Sequence, residues 1–207
     1  MKKGNPEFWN ERFGNKEYIY GEEPNVYLKN TLKNLTSGKI LFPAEGEGRN
    51  AVYAASLGWE THAFDPSISG QKKALQLAER NNVKIDYRLS DLEKAGYPAE
   101  DFDAIVLVYA HFHQDLRREY HRKLSQYLKK GGHIILEAFS KNHQENQENN
   151  PKAGGPKNPD MLYDLEEIKQ DFPNFTFLES LETTTELKEG DHHLGQAQVV
   201  RIFAQKR

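Results

Sequence analysis

The middle of the chain alternates short apolar runs with stretches of helical spacing. Apolar runs recur at 40–43, 61–64, 83–88, 103–109 and 133–139. Between them, apolar residues at every third or fourth position predict helices that begin near residues 49, 67 and 114. The continuously apolar run at 103–109 is typical of a central strand covered on both faces. The pattern therefore predicts a parallel sheet with helices on both sides.

The two ends of the chain depart from this alternation. Residues 5–35 predict two short amphipathic helices, the second with Pro24 as its first residue. The last central helix is predicted to run from 114 to 129 and to end at Gly131 and Gly132. Beyond it, β-rich runs at 175–187 and 198–204 flank a polar turn, which is a hairpin pattern. Five central strands and this hairpin predict a seven-stranded sheet.

A glycine turn interrupts the chain between the first strand and the first central helix. Gly46 and Gly48 allow positive φ and a close approach of the backbone. Asp65 follows Gly48 by seventeen residues and ends the next strand. A ligand of such a βαβ unit lies at the carboxyl ends of the strands, where an acid meets ribose hydroxyls. The sequence therefore predicts a nucleotide site around Gly46, Gly48 and Asp65.

The acidic residues of this turn bear on which nucleotide it binds. Gly46-x-Gly48-x-x-Ala51 satisfies the dinucleotide pattern, which alone is a weak signal. Glu45 and Glu47 would oppose a diphosphate at the helix N-terminus, whereas a ligand with an ammonium or sulfonium group would be attracted to them. S-adenosylmethionine has both cationic groups and an adenosine. The alternative is that both acids are solvated loop charges.

The stretch 39–65 resembles motif I of class I S-adenosylmethionine-dependent methyltransferases, specifically the small tellurite-resistance and thiopurine-type branch. The family's usual form is a strand that ends in an acid, followed by G-x-G-x-G. This chain has Phe42 in place of the acid and Ala44 in place of the first glycine. The resemblance implies S-adenosylmethionine as cofactor. It leaves Glu45 as the carboxylate that replaces the missing acid at the cofactor's amino group.

The pattern WNERF…YIYGEEPNVYL near the N-terminus resembles the lid of the same branch. In that family the lid folds over the bound cofactor and brings aromatic residues and an arginine to its methionine end. The resemblance therefore assigns Arg12 and Tyr20 to the cofactor, and an arginine fork suits a carboxylate. The alternative is that Trp9, Phe13 and Tyr20 are core residues.

A second acidic position follows the third strand. The family keeps there an acid that hydrogen-bonds the adenine amino group, which the resemblance transfers to Asp91. Leu92, beside Asp91, and Pro66, beside Asp65, are predicted to contact the cofactor with them. Asp91 as the N-cap of a short helix is the alternative.

A polar and aromatic cluster ends the strand 103–109. Tyr109 is predicted to contact the cofactor and to act in catalysis, because acceptors meet cofactor at this edge in the family. His111 is predicted to be a general base or to position the acceptor, since imidazole titrates near pH ~6.5. Alternatively, His111 and His113 begin the next helix, which we prefer for His113.

Two later segments are polar. Residues 140–160 have no periodicity and are predicted to form a structureless loop over the site that gates the substrate. His192 and His193 are predicted to lie at a loop tip, because adjacent strand residues face opposite sides and cannot share a metal. No metal site is predicted.

The composition of the chain excludes several classes of function and site. The net charge of −3 and pI near 6.3 give no basic footprint for nucleic acid. No run approaches the ~20 apolar residues of a membrane span, and MKKG is followed by no apolar core of a secretory signal. The absence of cysteine excludes thiolate metal sites and a cysteine nucleophile. We expect a cytoplasmic monomer or homodimer.

Together these features predict an α/β fold, a Rossmann-like three-layer sandwich whose seven-stranded sheet is mostly parallel with a C-terminal antiparallel hairpin. One domain, 1–207, would comprise a helical lid at 1–37 and a core at 38–207. The predicted function is direct in-line methyl transfer from S-adenosylmethionine to a small-molecule acceptor. An NAD(P)-dependent oxidoreductase and a non-catalytic cofactor-binding module are the alternatives.

Overall fold

A computed structural model describes residues 5–207 as seven helices and seven strands. Residues 1–4 lie outside the described residues. They include the start of the predicted lid and the MKKG stretch that was predicted not to begin a secretory signal. The helices are α1 (Pro6–Phe13), α2 (Val26–Leu32), α3 (Arg49–Ser56), α4 (Ile68–Arg80), α5 (Gln114–Tyr127), α6 (Gln144–Asn149) and α7 (Leu165–Asp171). The strands are β1 (Lys39–Pro43), β2 (Glu60–Asp65), β3 (Asp86–Leu89), β4 (Phe102–Val108), β5 (Leu128–Phe139), β6 (Phe175–Glu189) and β7 (His193–Lys206).

All seven strands form one sheet in the order β3-β2-β1-β4-β5-β7-β6. Strands β1 to β5 pair in parallel, and β7 pairs antiparallel with both β5 and β6. The predicted fold class is therefore confirmed. The direction of winding reverses between β1 and β4, and the crevice at the carboxyl ends of these two strands is where open α/β sheets bind ligands.

The C-terminal hairpin extends beyond the edge of the parallel sheet. Strand β5 pairs with β7 from His133–Gln205 to Phe139–Val199, so residues 193–198 lie past the last β5 partner. There β7 pairs with β6 alone, up to the pair Glu189–His193. The hairpin tip thus projects past the carboxyl end of β5, on the side of the predicted site.

Two predicted helix boundaries were wrong. Pro24 precedes α2, because Asn25 is the N-cap and its side chain accepts a hydrogen bond from the Leu28 amide. Helix α5 ends at Tyr127, and Gly131 and Gly132 lie inside β5 and do not end the helix. Both errors arise because proline and glycine indicate that a helix begins or ends nearby, but they do not fix at which residue.

The segment 140–160 is not structureless, which corrects another prediction. It contains a 3₁₀ turn at Lys141–His143, helix α6, and two further 3₁₀ turns at Pro151–Ala153 and Pro159–Met161. These short turns are stabilised by capping residues, and not by the stripe of apolar residues from which a helix is normally predicted. Asn150 and Asn158 each accept a hydrogen bond from the backbone two residues on.

Candidate active site at the carboxyl edge of the sheet

The turn after β1 has a left-handed backbone at three alternate residues. Ala44, Gly46 and Gly48 have φ values of 52°, 63° and 87°. A Cβ atom on Gly48 would lie 2.5 Å from the Cβ of Ala74, so glycine is needed there for the close packing of α3 and α4. Ala44 takes the left-handed conformation despite its side chain. The turn therefore forms with a left-handed alanine at the position where the resemblance expects a glycine.

Glu45 caps the helix that follows the turn. Its Oε1 accepts hydrogen bonds from the amides of Asn50 (2.9 Å) and Ala51 (2.8 Å). Burial raises the pKa of the Glu45 carboxyl to about 7 even though these two amides lower it. Its Oε2 accepts no hydrogen bond from the residues that the structure describes. One oxygen thus holds α3, and the other remains available to a cationic ligand.

Glu47 has a different role from Glu45. It is buried, its Oε1 lies 2.7 Å from Lys73 Nζ, and its Oε2 accepts a hydrogen bond from the amide of Ile19 at 2.9 Å. The interpretation of Glu47 as a solvated loop charge is therefore wrong. The residue ties the chain before α2 to α4.

Asp65 is buried at the carboxyl end of β2. Its Oδ2 accepts a hydrogen bond from the amide of Gly46 (3.1 Å) and its Oδ1 from that of Ser67 (2.8 Å). Burial raises the pKa of Asp65 to about 6. Ser67 is the N-cap of α4, and the half-buried Pro66 joins the two. Asp65 thus connects the glycine turn to the start of α4 without a cationic partner among residues 5–207.

The segment after β3 combines features of both sequence interpretations. Asp91 Oδ1 accepts a hydrogen bond from the amide of Lys94 at 2.9 Å, so the residue caps a single turn. No helix follows this turn. Leu92 is buried in the main apolar cluster with Phe64 and Tyr97. The side chain of Leu92 therefore packs into the core, while Asp91 remains half-buried at the sheet edge.

The N-terminal helix places a cation against aromatic rings. The Arg12 guanidinium carbon lies 5.6 Å from the centre of the Tyr20 ring and 5.9 Å from that of Trp9. Arg12 Nε is buried and makes no hydrogen bond within residues 5–207. Phe13 is a core residue over the glycine turn, because a Cβ on Gly46 would lie 3.0 Å from its ring. Arg12 thus presents an unsatisfied buried N–H beside the rings of Trp9 and Tyr20, and an arginine donor of this kind suits a carboxylate.

Tyr109 and His111 are held by hydrogen bonds at the end of β4. The Tyr109 hydroxyl donates to Glu137 Oε1 at 2.9 Å, and burial raises its pKa well above 10. His111 Nδ1 donates to the carbonyl of Met161 (2.7 Å), and its Nε2 accepts from the amide of Phe139 (3.2 Å). Burial lowers the pKa of His111 to about 4. The Tyr109 hydroxyl and both ring nitrogens of His111 therefore already make hydrogen bonds within the protein. His113 caps α5, as preferred from the sequence.

A buried polar network beside Tyr109 was missed by the sequence interpretation. Glu189 Oε2 lies 2.8 Å from an Arg49 guanidinium nitrogen and accepts a hydrogen bond from His193 Nδ1 at 3.1 Å. Asn25 Nδ2 donates to both Glu189 (3.0 Å) and Glu137 (2.7 Å). The network joins the chain before α2, the start of α3, strand β5 and the hairpin.

His193 is buried in this network, which corrects its prediction as a loop-tip residue. His192 is exposed and does lie in the turn. The His193 ring centre lies 4.3 Å from that of Tyr20 and 4.7 Å from that of Tyr109. The signal in the sequence was Glu189-x-x-x-His193, because a three-residue turn makes these two positions partners across the hairpin.

The structure therefore brings some predicted residues together and leaves others apart. Arg12 lies on Tyr20, Asp65 holds Gly46, and Tyr20 is connected to Tyr109 through His193. Asp91 and His111 make their hydrogen bonds elsewhere. Among residues 5–207, no group of three or more metal-ligating side chains is present, and no helix is long and apolar enough to span a membrane.

Comparisons with known proteins agree with this architecture. Residues 43–136 match the model of a methyltransferase domain family. A comparison with curated proteins finds no match. The structure is similar to a protein solved in work on the conversion of a disulfide bond into a thioacetal group during echinomycin biosynthesis, with a TM-score of 0.79 at 17% identity, over 97% of this chain and 91% of that one.

Two further solved structures share the fold. TehB from Haemophilus influenzae has a TM-score of 0.71 at 17% identity, over 98% of this chain and 67% of that one. Magnesium protoporphyrin IX methyltransferase from Synechocystis PCC 6803, solved with bound SAH, has a TM-score of 0.69 at 12% identity, over 95% of this chain and 96% of that one. At these identities the structural similarity establishes the fold.

Proposed function

We propose that the chain is an S-adenosylmethionine-dependent methyltransferase that methylates a small-molecule acceptor by direct in-line transfer, a proposal supported by the match of residues 43–136 to a methyltransferase domain family and by the fold. The observation that carries the proposal is the set of groups at the carboxyl edge of β1 and β2. It contains an unsatisfied Arg12 Nε, a free Glu45 oxygen and the buried Asp65 carboxylate. These groups complement a carboxylate, an ammonium group and ribose hydroxyls in turn.

The cofactor, when bound, supplies an electrophilic methyl group on a sulfonium. The role of this chain is to hold the cofactor and the acceptor in line, which can supply roughly 7–11 kcal/mol of barrier reduction. We assign Arg12 and Tyr20 to the methionine end, Glu45 to the amino group and Asp65 to the ribose. Asp91 is assigned to the adenine.

The remaining cofactor residues act through backbone and shape. Gly46 and Gly48 give the turn its left-handed backbone and make room for Phe13 and Ala74, and we expect the backbone of the turn so formed to contact the cofactor. Pro66 and Leu92 flank the two acids, and Tyr109 borders the methionine end from β4. Because the Leu92 side chain is buried in the core, we expect its backbone to make the contact.

The cover over the site supports a small acceptor. The Ile19 amide is bonded to Glu47, and a Cβ on Gly190 would lie 2.2 Å from the Ile19 carbonyl oxygen. The lid therefore contacts both the glycine turn and the hairpin tip, an arrangement that favours a small acceptor over a macromolecule. A net charge of −3 also offers no attraction for nucleic acid.

We further propose that the chain belongs to the tellurite-resistance and thiopurine-type branch. The support is the resemblance of motif I and of the lid, together with the ordered lid before β1. This branch implies a thiol or an oxyanion as acceptor, with residues 140–160 as a gate beside it. A cytoplasmic location and a monomeric or homodimeric state remain part of the proposal.

Isothermal titration with S-adenosylhomocysteine, with NAD as a parallel control, tests the function. We expect saturable binding of S-adenosylhomocysteine and no heat from NAD. Small thiols and tellurite would then be screened for methyl transfer. Binding of NAD alone would support the oxidoreductase, and binding of neither would contradict the proposal in favour of a fold without cofactor.

A further inference from the structure

One imidazole nitrogen beside Tyr109 has no protein partner. His193 Nδ1 donates to Glu189 Oε2 at 3.1 Å, which fixes the tautomer with a lone pair on Nε2. Nε2 makes no hydrogen bond to any described residue. Arg49 also binds Glu189 Oε2 and keeps that carboxylate ionised, so the pKa of Glu189 is lowered to about 2. The arrangement is a base oriented by a carboxylate.

The position of His193 links it to the cofactor edge. Its ring contacts Tyr20 from the lid, Tyr109 from the end of β4 and Phe139 from the end of β5. The ring therefore lies where the hairpin tip, the lid and two parallel strands converge. That is the same edge as the glycine turn, since β1 and β4 are neighbours in the sheet.

The backbone of Gly154 packs against the edge of the His193 ring that carries the free nitrogen. A Cβ atom on Gly154 would lie 2.9 Å from His193 Nε2 and 2.3 Å from its Cδ2. Any other residue at position 154 would therefore clash with the ring and displace it from this position. The backbone of Gly154, at φ 80°, is also one that larger residues rarely adopt.

The other titratable side chains of this edge are not available as bases. The Tyr109 hydroxyl donates to Glu137, and both nitrogens of His111 bind backbone groups. His143 is likewise bonded through Nε2 to the Gly154 carbonyl and through Nδ1 to the Gln198 amide. His193 is left as the one imidazole of this cluster with a free ring nitrogen.

We propose that His193 is the general base of the methyl transfer, with Glu189 as its positioning residue, and that the acceptor arrives protonated as a thiol or hydroxyl compound. The proposal rests on the proposed methyltransferase function. Nε2 takes the proton of the acceptor S–H or O–H. The acceptor lone pair forms the bond to the methyl carbon, and the carbon–sulfur bond of the cofactor breaks with its electron pair on sulfur. The proton then leaves His193 for solvent.

The charge environment keeps His193 neutral and ready to accept a proton. Burial lowers its pKa, Glu189 raises it, and Arg49 and Arg12 lower it again. The titratable and charged groups that face the ring from the packed elements are Arg12, Tyr20, Arg49, Tyr109, His111 and Glu189. With its pKa lowered from the ordinary value, His193 is mostly neutral at neutral pH.

The test compares two acceptors that both take the methyl group on sulfur but differ in whether that sulfur is protonated at pH 7. In wild type and in His193→Asn, methyl transfer is measured to 2-mercaptoethanol, mostly protonated at pH 7, and to thiophenol, largely ionised there. His193→Asn should lower kcat on 2-mercaptoethanol by about 10²–10⁴-fold and change thiophenol little. His192→Asn, at the exposed neighbour, is the matched control. Equal losses on both thiols, or no loss, would overturn the proposal.

A second readout does not depend on turnover. In ¹⁵N NMR of the protein with bound S-adenosylhomocysteine, His193 should be neutral at pH 7 with its proton on Nδ1, and Glu189→Gln should alter that signal. An imidazolium, or a proton on Nε2, would overturn the proposal. If the wild-type protein does not bind S-adenosylhomocysteine at all, the proposed function itself, and not only the role of His193, has failed. His193→Asn should retain most of the binding, because the His193 ring meets the cofactor edge only through its contact with Tyr20.

Discussion

Two pairs of carboxylates lie at the carboxyl edge of the sheet, and their partners differ. Asp65 and Glu45 accept hydrogen bonds from backbone amides only, and burial raises their pKa values to about 6 and about 7. Glu137 and Glu189 instead bind guanidinium groups, with Arg201 Nε at 2.6 Å from Glu137 and Arg49 at 2.8 Å from Glu189.

The difference separates a site for a ligand from a scaffold. The carboxylates of the glycine turn gain a strong partner only when a ligand with an ammonium group or hydroxyls binds. Those of the hairpin network already have cationic partners, so the protein itself stabilises their charge. The first pair is therefore suited to hold a cofactor, and the second to orient His193.

The hairpin network should give the largest effect on stability. Glu189→Leu leaves the buried Arg49 guanidinium without its carboxylate, and we expect a loss of about 3–5 kcal/mol in the free energy of unfolding. The double variant Arg49→Met/Glu189→Leu removes the unpaired charge and should recover most of it. Urea unfolding measures both. Additive losses in the double variant would contradict the pairing.

The glycine turn should give a smaller but separable effect. Gly48→Ala combines a left-handed alanine, about 1–2 kcal/mol, with overpacking against Ala74, about 1–3 kcal/mol. Gly131→Ala is the matched control, because its φ is 76° and nothing lies within 4 Å of the added Cβ. Thermal or urea unfolding should show Gly131→Ala as the milder change. Equal losses would mean that the α3–α4 contact contributes nothing.

The smallest effect concerns pH. The folded pKa of Asp65, about 6, lies above its ordinary value of 3.8. Its contribution to stability is therefore complete below pH ~4 and lost as the pH rises through about 6. Relative to wild type, Asp65→Asn should gain stability across that interval in urea unfolding at a series of pH values. A difference independent of pH would show that Asp65 titrates normally in the folded protein.

Local patterns in the sequence predicted most of the fold. The apolar runs, the glycine turn and the acid after β2 are each contained in a few consecutive residues, so they could be found without knowing the fold. The hairpin followed from two β-rich runs around a polar turn. Pro24 and Gly131 misled because their types mark a break without fixing its place.

The hairpin network could not be predicted in the same way. Arg49 and Glu189 are 140 residues apart in the chain, and Asn25 and Glu137 are 112 apart. Which cation meets which carboxylate depends on the pairing of β5 with β7, and adjacent histidines alone do not indicate it. His111 was selected from its position after β4, whereas its hydrogen bonds to the backbone became visible only in the folded chain.

Calorimetry with S-adenosylhomocysteine on Asp65→Ala and His193→Asn tests the division between the two regions most directly. Asp65→Ala should lose binding sharply, because its carboxylate meets the ribose, and circular dichroism would check that the variant remains folded. His193→Asn should lose much less affinity than Asp65→Ala, because the His193 ring reaches the cofactor edge only through its contact with Tyr20. Unchanged affinity in Asp65→Ala, or an equal loss in both variants, would contradict the account.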